Sequence, residues 1–496
     1  MAEAPKLPLD PAMALTPQVG TFNAAQPAPA TPPPPLAARR RRPRVAVVLA
    51  AGRSERLERL TRGGSKVLLR LGGLSLVERS VRSLLAAGLE RVLVVVGHDA
   101  GPVATVVRRL APGRVRVVYA RQWQHGNGAS LAAAEDAVAA ALTDLSQGPA
   151  LFALVTADHV FGEGALAALL EAGAPAVLVD PAPDPVIWAE GTKVRIHGQT
   201  AVAFDKRLDA PAIDCGAFLL PPEVFRCQRR AAAEGDYTLA GAITRLAQAL
   251  PLLAVPLPSG CWWCDVDTPE DARAASAALR RSLSKAGDGP VSRYLNRPLS
   301  TRLSMQLAKL RPPPDLVSLA AFALGVVAAA LLATGHGLVG ALLVHSASVL
   351  DGVDGEVARL QLRGSARGAL LDGVLDRIAA TTVRAGLGLW ALDQGGRPAR
   401  EVLWLTVAAT AGALLSMATK DRAAALGLPP APERALGWLL AGRDGRLLLV
   451  AVGALLAMPA AALTAVAASS ALALALRVAF IRAAARDGRP AGQPFA

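Results

Sequence analysis

Aromatic side chains are scarce: they make up 4% of the 496 residues, although 52% are apolar. The apolar content is mostly Ala, Leu and Val, and it crowds toward the C-terminus. That argues against one large soluble core and for Ala/Leu-rich helices in a bilayer. Cysteine is nearly absent, with Cys215, Cys227, Cys261 and Cys264 only. The lone Cys261-x-x-Cys264 has no second ligand pair close in sequence, which speaks against a structural zinc site and for reduced intracellular thiols. Met1–Ala38 lacks the continuous apolar core of an export signal; it is Pro- and Ala-rich and reads as a disordered tail, residues 1–42. Acidic residues are outnumbered, 39 against 53 Lys and Arg, for a formal charge of +14. The arginines gather at the ends of hydrophobic stretches, so they read as topology signals and phosphate ligands, and nucleic acid is not an expected partner.

From Arg44 onward, short β-branched runs alternate with helix-like segments. Val45–Leu49, Val92–Val96, Arg116–Tyr119 and Ala150–Val155 read as strands, and Ser75–Ala87 and Ser130–Leu142 as helices. This predicts an α/β domain over residues 43–283, Rossmann-like, with a mixed, mostly parallel sheet. Residues 284–314 form a basic connector in which Arg293, Arg297, Arg302, Lys309 and Arg311 interleave with Tyr294, Leu295, Leu299, Leu303 and Leu307. A surface helix lying on a membrane fits that pattern.

Residues 315–487 predict an all-α, six-helix transmembrane domain, followed by a short tail, residues 488–496. The six expected spans are Leu316–Thr334, Leu338–Ala358, Ala369–Leu392, Val402–Ala418, Arg446–Ala462 and Leu463–Ala484, the last two meeting at a tight turn near Pro459–Thr464. With six spans, Arg363 and Arg367, the Lys420–Arg446 loop, Arg482 and the connector all lie on one side. The positive-inside rule then places both termini and the α/β head in the cytoplasm, on a multi-pass inner-membrane protein.

Within this tail, Asp351 and Asp354 are three residues apart and Asp372 and Asp376 four apart, so each pair shares a helical face. An antiparallel helix pair would bring all four carboxylates together. Unpaired in a bilayer, each costs on the order of several kcal/mol. Divalent cations with oxygen ligands, Mg²⁺ above all and Mn²⁺ as the alternative, would neutralise them. Pairing with Arg359, Arg363 and Arg367 is the structural alternative. Arg477, amid apolar residues of the sixth span, likewise calls for an anionic partner.

The run D-x-x-D-G-x-x-A-R from Asp351 to Arg359, then eight residues, then G-x-x-x-D-x-x-x-D from Gly368 to Asp376, resembles the signature of the CDP-alcohol phosphotransferase family. The resemblance implies that Asp351, Asp354 and Asp372 ligate metal, and that Asp376 approaches it and acts as base on the acceptor hydroxyl. It places Gly355, Ala358, Arg359 and Gly368 at the CDP part. Lys420 and Arg422 resemble the K-x-R that holds inositol phosphate in some members, with snorkelling to the interface an equally good account. Arg477 joins them as a candidate acceptor ligand. Members commonly form dimers, so a homodimer through the transmembrane domain is part of the expectation.

In the head, Leu49-Ala50-Ala51-Gly52-Arg53-Ser54-Glu55-Arg56-Leu57 followed by Ser65-Lys66 resembles the loop of sugar-phosphate nucleotidyltransferases, with Ser54 and Ser65 departing from its usual Gly and Pro. Loop N–H groups would cradle a triphosphate, and Arg56 and Lys66 would offset charge as pyrophosphate leaves. The same resemblance makes Asp158 and Asp265 the Mg²⁺ ligands and puts Asn127, Gly128 and Ser130 at the base. It turns Glu190, Lys193 and Asp214 toward the acceptor, though these could equally be surface charges. Head and tail in this order resemble the bifunctional inositol-1-phosphate cytidylyltransferase / di-myo-inositol phosphate-phosphate synthase family, which implies CTP, inositol 1-phosphate and a CDP-alcohol as partners beside the lipid bilayer. The alternatives are a phospholipid synthase drawing on CDP-diacylglycerol, and a head that only senses nucleotide.

Overall fold

The computed structural model describes residues 42–486 except 54–55, 62, 146–149, 286, 429–430 and 432. The expectations for residues 1–41, Ser54, Glu55 and 487–496 lie outside the described residues.

The head is built on a nine-stranded sheet. Its strands are β1 (Val45–Ala50), β2 (Arg91–Val96), β3 (Val115–Tyr119), β4 (Phe152–Thr156), β5 (Ala176–Asp180), β6 (Lys193–His197), β7 (Thr200–Asp205), β8 (Ala212–Leu220) and β9 (Leu252–Pro256). The spatial order is β3-β2-β1-β4-β8-β5-β9-β7-β6. The side β3-β2-β1-β4 is parallel throughout, and β8 then enters antiparallel to both β4 and β5. Strand β1 is buried along its whole length, because both of its faces carry packed layers. Ala46, Val48 and Ala50 join one apolar cluster while Val45, Val47 and Leu49 join the other, as the two-residue side-chain period requires. The single helix expected over Ser130–Leu142 is two, Asn127–Ala132 and Glu135–Asp144. The first starts earlier because the Asn127 side chain ties its N-terminus to the backbone N–H of Leu239 at 2.7 Å.

This topology brings the carboxyl ends of β1 and β4 side by side, with Leu49 opposite Thr156 and Ala157 N–H donating to the Leu49 carbonyl at 2.9 Å. The loop after β1 and the Ala157–His159 turn therefore open onto one crevice, the place where α/β sheets bind ligands.

The connector becomes α1 (Arg297–Leu307). Leu299 and Leu303 on it, and Tyr294 and Leu295 in the helical turn just before it (Ser292–Asn296), are exposed, as a surface helix requires. Arg297 is not part of that solvated face: it is partly buried in pairs with Asp288 (2.8 Å) and Glu356 (2.5 Å).

The tail helices are α2 (Pro314–Ala333), α3 (Gly337–Leu360), α4 (Ala366–Asp393), α5 (Ala399–Ala425), α6 (Arg443–Leu455) and α7 (Pro459–Arg486). Four of them, α2, α3, α5 and α7, are long and apolar enough to cross a membrane. Helix α4 is long, at 28 residues, but carries Asp372, Asp376, Arg377 and Arg384 within its length. Helix α6 has only 13 residues. The chain turns earlier than expected, at Leu456–Met458 with Ala457 at φ 53°, because Pro459 is suited to the first turn of the next helix and opens α7.

Head and tail share an interface. Leu71, Leu76 and Leu279 of the head form one apolar cluster with Ala308 and Leu360. Arg311 holds the head at Glu78 (2.8 and 2.5 Å) and at the Gly73 carbonyl (2.8 Å). Arg79 and Arg82 donate to the carbonyls of Leu360 (3.1 Å) and Gln361 (2.7 Å). Gly73 permits this approach: its φ is +85°, and a Cβ there would lie 2.1 Å from the Ala308 carbonyl oxygen. Gly73→Ala is therefore expected to lower stability by about 1–3 kcal/mol, from a strained backbone and a separated interface. Thermal unfolding in detergent and faster proteolysis within residues 284–296 would register it; an unchanged melting temperature would contradict the close packing.

Candidate active sites

In the head, Lys66 enters from a short 3₁₀ turn, Lys66–Leu68, whose preceding Ser65 is buried and donates its N–H to Asp99 at 3.1 Å. The Lys66 ammonium lies 2.7 Å from Asp158 and 2.5 Å from Asp267. Burial alone would lower its pKa; the two carboxylates outweigh burial and hold it above its ordinary value. His159 Nδ1 meets Asp158 at 2.9 Å and stands 3.8 Å from Asp265. Burial opposes charge on this imidazole, yet Asp265 and Asp158 raise its pKa to about 9. Burial pushes Asp265 up to about 6 against the pull of His159, with Asp158 and Asp267 adding repulsion. Burial also disfavours the Asp158 carboxylate, but Lys66 and His159 hold its pKa below the usual range.

The antiparallel pairing of His159–Phe161 with the distant Trp263–Asp265 sets this geometry, since it puts Asp265 directly opposite His159. Asp158, His159 and Asp265 each offer a ligand atom, all within 4.8 Å of one another. The carboxylate oxygens of Asp158 and Asp265 suit a hard divalent cation, so these two residues fit the metal expected there, while His159, held as a cation by the same carboxylates, orients them. His159 and Asp267 were not among the expected site residues. Asp267 could have been found in the same Asp-Val-Asp-Thr run as Asp265, whereas His159 is recruited by the strand pairing.

The other head residues are placed less uniformly. Leu49 and Ala50 belong to β1, with neighbours on both sides, so their backbone groups serve the sheet and the free loop starts at Ala51 and Gly52. Arg56 is exposed and pairs with Glu190 at 2.8 Å, which joins an expected pyrophosphate-side group to an expected acceptor-side group. Asn127 and Gly128 spend polar groups on Leu239 (2.7 Å) and the Tyr237 carbonyl (2.8 Å), and Ser130 is buried. Lys193 is buried, donating to the Ala189 carbonyl at 3.2 Å with its ammonium 4.7 Å from the Trp188 ring centre, so it is not a surface charge. Asp214 accepts from Gly216 N–H at 2.9 Å, and burial raises its pKa.

In the tail, α3 and α4 bring Asp351, Asp372 and Asp376 together, each with a carboxylate oxygen within 4.8 Å of the others. Asp354 is buried, accepts from Ser318 Oγ on α2, and abuts Asp372. The cation in this cluster is Arg443, from the first turn of α6: it pairs with Asp351 and, at 2.9 Å, with Asp376. The arginines considered from sequence are elsewhere, and Arg359 donates to the Leu283 carbonyl at 3.0 Å. One guanidinium against four carboxylates leaves an excess of negative charge, and an all-oxygen donor set suits hard divalent cations. The residues therefore fit the implied metal. Arg443 escaped notice because a lone arginine between helices reads as a topology charge.

Gly355 and Ala358 continue the face of α3 beyond Asp351 and Asp354, and Gly368 N–H is held by the N-cap Ser365 at 3.0 Å. Lys420 and Arg422 are exposed at the end of α5. Arg477 is buried, and its anionic partner is Glu433, bound through two contacts of 2.9 Å, while Ser416 accepts from the same guanidinium. A protein carboxylate thus meets the need for which a substrate phosphate was expected.

Residues 46–210 match the MobA-like NTP transferase domain family, and residues 313–485 match the CDP-alcohol phosphatidyltransferase family. Over 83% of this chain and 90% of its own length, the bifunctional IPC transferase and DIPP synthase of Rubrobacter xylanophilus is 39% identical. The chain belongs to the bifunctional IPC transferase and DIPP synthase family. A second member, from Thermococcus kodakarensis, is 31% identical over 68% of this chain and 73% of its own length. Among solved structures, the inositol-1-phosphate CTP transferase from T. maritima is similar with a TM-score of 0.41 and 23% identity, covering 46% of this chain and 91% of that one. Lys66, Asp158 and His159 fall in the first matched segment and all four tail aspartates in the second, while Asp265 and Asp267 lie between the two.

Proposed function

We propose that this membrane protein performs two transfers in sequence. In the head, a phosphate oxygen of inositol 1-phosphate attacks the α-phosphorus of CTP; the bond to the β,γ-diphosphate breaks, and CDP-inositol and pyrophosphate form. In the tail, a hydroxyl oxygen of a second inositol 1-phosphate attacks the inositol-bearing phosphorus of CDP-inositol. The diphosphate bond breaks, CMP leaves, and di-myo-inositol phosphate-phosphate is the product.

The observation that carries this is the meeting of Asp351, Asp372 and Asp376 from two helices, in the same chain as the Lys66–Asp158–Asp265 group. Lys66 and Arg56 offset the charge of departing pyrophosphate. Asp376 takes the proton of the attacking hydroxyl. Ala51 and Gly52 offer loop N–H groups to the triphosphate, and Asn127, Gly128 and Ser130 border the base. Glu190, Lys193 and Asp214 shape the first acceptor site, and Lys420 and Arg422 the second, with Arg477, paired to Glu433, holding their helix through Ser416. Gly355, Ala358, Arg359 and Gly368 border the CDP group. Divalent cations, held by Asp158 and Asp265 in the head and by Asp351, Asp354, Asp372 and Asp376 in the tail, would supply charge neutralisation on the phosphates and a better leaving group.

We place α4 and α6 in the bilayer with the four apolar helices, giving six spans with both termini and the head cytoplasmic. The basic residues at Arg363, Arg367, Lys420 and Arg422 support that orientation. A homodimer through the tail belongs to the same proposal.

Membranes given CTP and labelled inositol 1-phosphate, with no lipid donor, are expected to form a water-soluble labelled diester; a product that appears only with CDP-diacylglycerol and extracts into solvent would favour a phospholipid synthase instead. Chelation with EDTA is expected to stop both transfers and added Mg²⁺ to restore them, and turnover that survives chelation would overturn the roles given to the carboxylates.

A further inference from the structure

Between the head and α3 lies a cavity of about 850 Å³, within the size range of small-molecule sites. The head contributes Arg79, Phe161, Trp262 and Arg281 to its wall, and the tail contributes Ala358 and Arg359. Arg79 is 4% exposed, and its Nε has no hydrogen-bond partner among the described residues. The buried Nε of Arg359 has none either. A buried guanidinium N–H left without an acceptor is unfavourable, so both groups call for one. Three arginines against the single carboxylate Glu163 make the wall electropositive. Two aromatic rings beside arginines provide the faces on which a nucleobase stacks.

The position of this chamber matters as much as its lining. Phe161 ends the strand that begins at His159, and Trp262 directly precedes the strand that carries Asp265. Two residues of extended chain, about 7 Å, separate the head's carboxylate group from this wall. On the other side, Ala358 follows Asp354 by one turn on the same face of α3, a rise of about 6 Å. The chamber is thus bordered by elements that each carry one of the two sites.

We infer that this interdomain chamber receives the CDP-alcohol formed by the head and passes it to the tail, with Arg79, Arg281 and Arg359 on the diphosphate and Phe161 and Trp262 on the base. This rests on the two-step reading above. It means that the intermediate partitions to the second site ahead of bulk solvent.

The test uses the full-length protein in proteoliposomes, fed α-³²P-labelled CTP and inositol 1-phosphate, with unlabelled CDP-inositol added to the bulk. Labelled CMP reports intermediate consumed by the tail. Because a tethered site gives an effective concentration of about millimolar, a roughly tenfold excess of bulk CDP-inositol is expected to suppress labelled CMP by less than about threefold. Suppression matching full mixing, with both half-reactions active when assayed separately, would overturn the handover alone. Failure of the head to make CDP-inositol from these substrates would overturn the two-step reading and the handover together. Ala167→Trp and Ala278→Trp, which narrow the chamber without altering its charge, are expected to raise suppression to the full-mixing value while each half-reaction persists. Unchanged suppression in both folded variants would also count against the handover.

Discussion

Asp376→Asn is expected to slow the second transfer by about 10³-fold or more, a loss of about 4 kcal/mol in the barrier, and to leave CDP-inositol synthesis intact. The change keeps the shape of the side chain but removes the proton acceptor and one charge from the cluster with Asp351 and Asp372. It also removes the ionic partner that Asp376 offers Arg443 at 2.9 Å, while Asp351 still holds that guanidinium. The helix pair should therefore stay docked, and the variant should melt close to the parent. Given CTP and inositol 1-phosphate, it should accumulate CDP-inositol and release little CMP. A variant that retains diester formation within tenfold of the parent would remove Asp376 from the chemistry; one that loses both transfers together would show a folding defect instead.

What was legible in the sequence follows the range of the interactions involved. Strand β1 is announced by a β-branched run because its burial on both faces leaves no position for a polar residue. The tail carboxylates are legible because helical spacing and a short connection between consecutive helices suffice to bring them together. Features that depend on distant segments were not legible. Arg443 reaches Asp351 across 92 positions, and Glu433 reaches Arg477 across 44, so no local pattern records either pairing. The docking of Arg311 on Glu78 spans 233 positions and uses a glutamate that already caps its own helix through Ser75. The span count shows a related limit: six were expected, yet four helices are long and apolar enough to cross a membrane, because α4 carries Asp372, Asp376, Arg377 and Arg384 and α6 has only 13 residues. Leu49 and Ala50 show the reverse case, in which a motif resemblance covers residues whose backbone the sheet has already claimed.

Lys66→Met should fall hardest on the first transfer, by about 10²–10³-fold, because it removes a buried positive charge from the place where pyrophosphate would develop negative charge. The same change strips Asp158 and Asp267 of the ammonium that lies 2.7 and 2.5 Å away. Burial already disfavours the Asp158 carboxylate, and Lys66 is the strongest influence opposing it. Losing that partner leaves a carboxylate to share charge only with His159, so some loss of stability in the head is expected as well, of about 1–3 kcal/mol. The two effects separate experimentally. Supplying CDP-inositol directly should restore near-normal CMP release by the tail if the head remains folded and only its chemistry has failed. Lys66→Arg keeps the charge in a bulkier, planar form and should recover stability more fully than rate, since the 3₁₀ turn fixes the point from which the cation must reach both carboxylates. Equal recovery of stability and rate by arginine would mean that Lys66 acts only as a counter-charge for Asp158, and that pyrophosphate departure relies on Arg56.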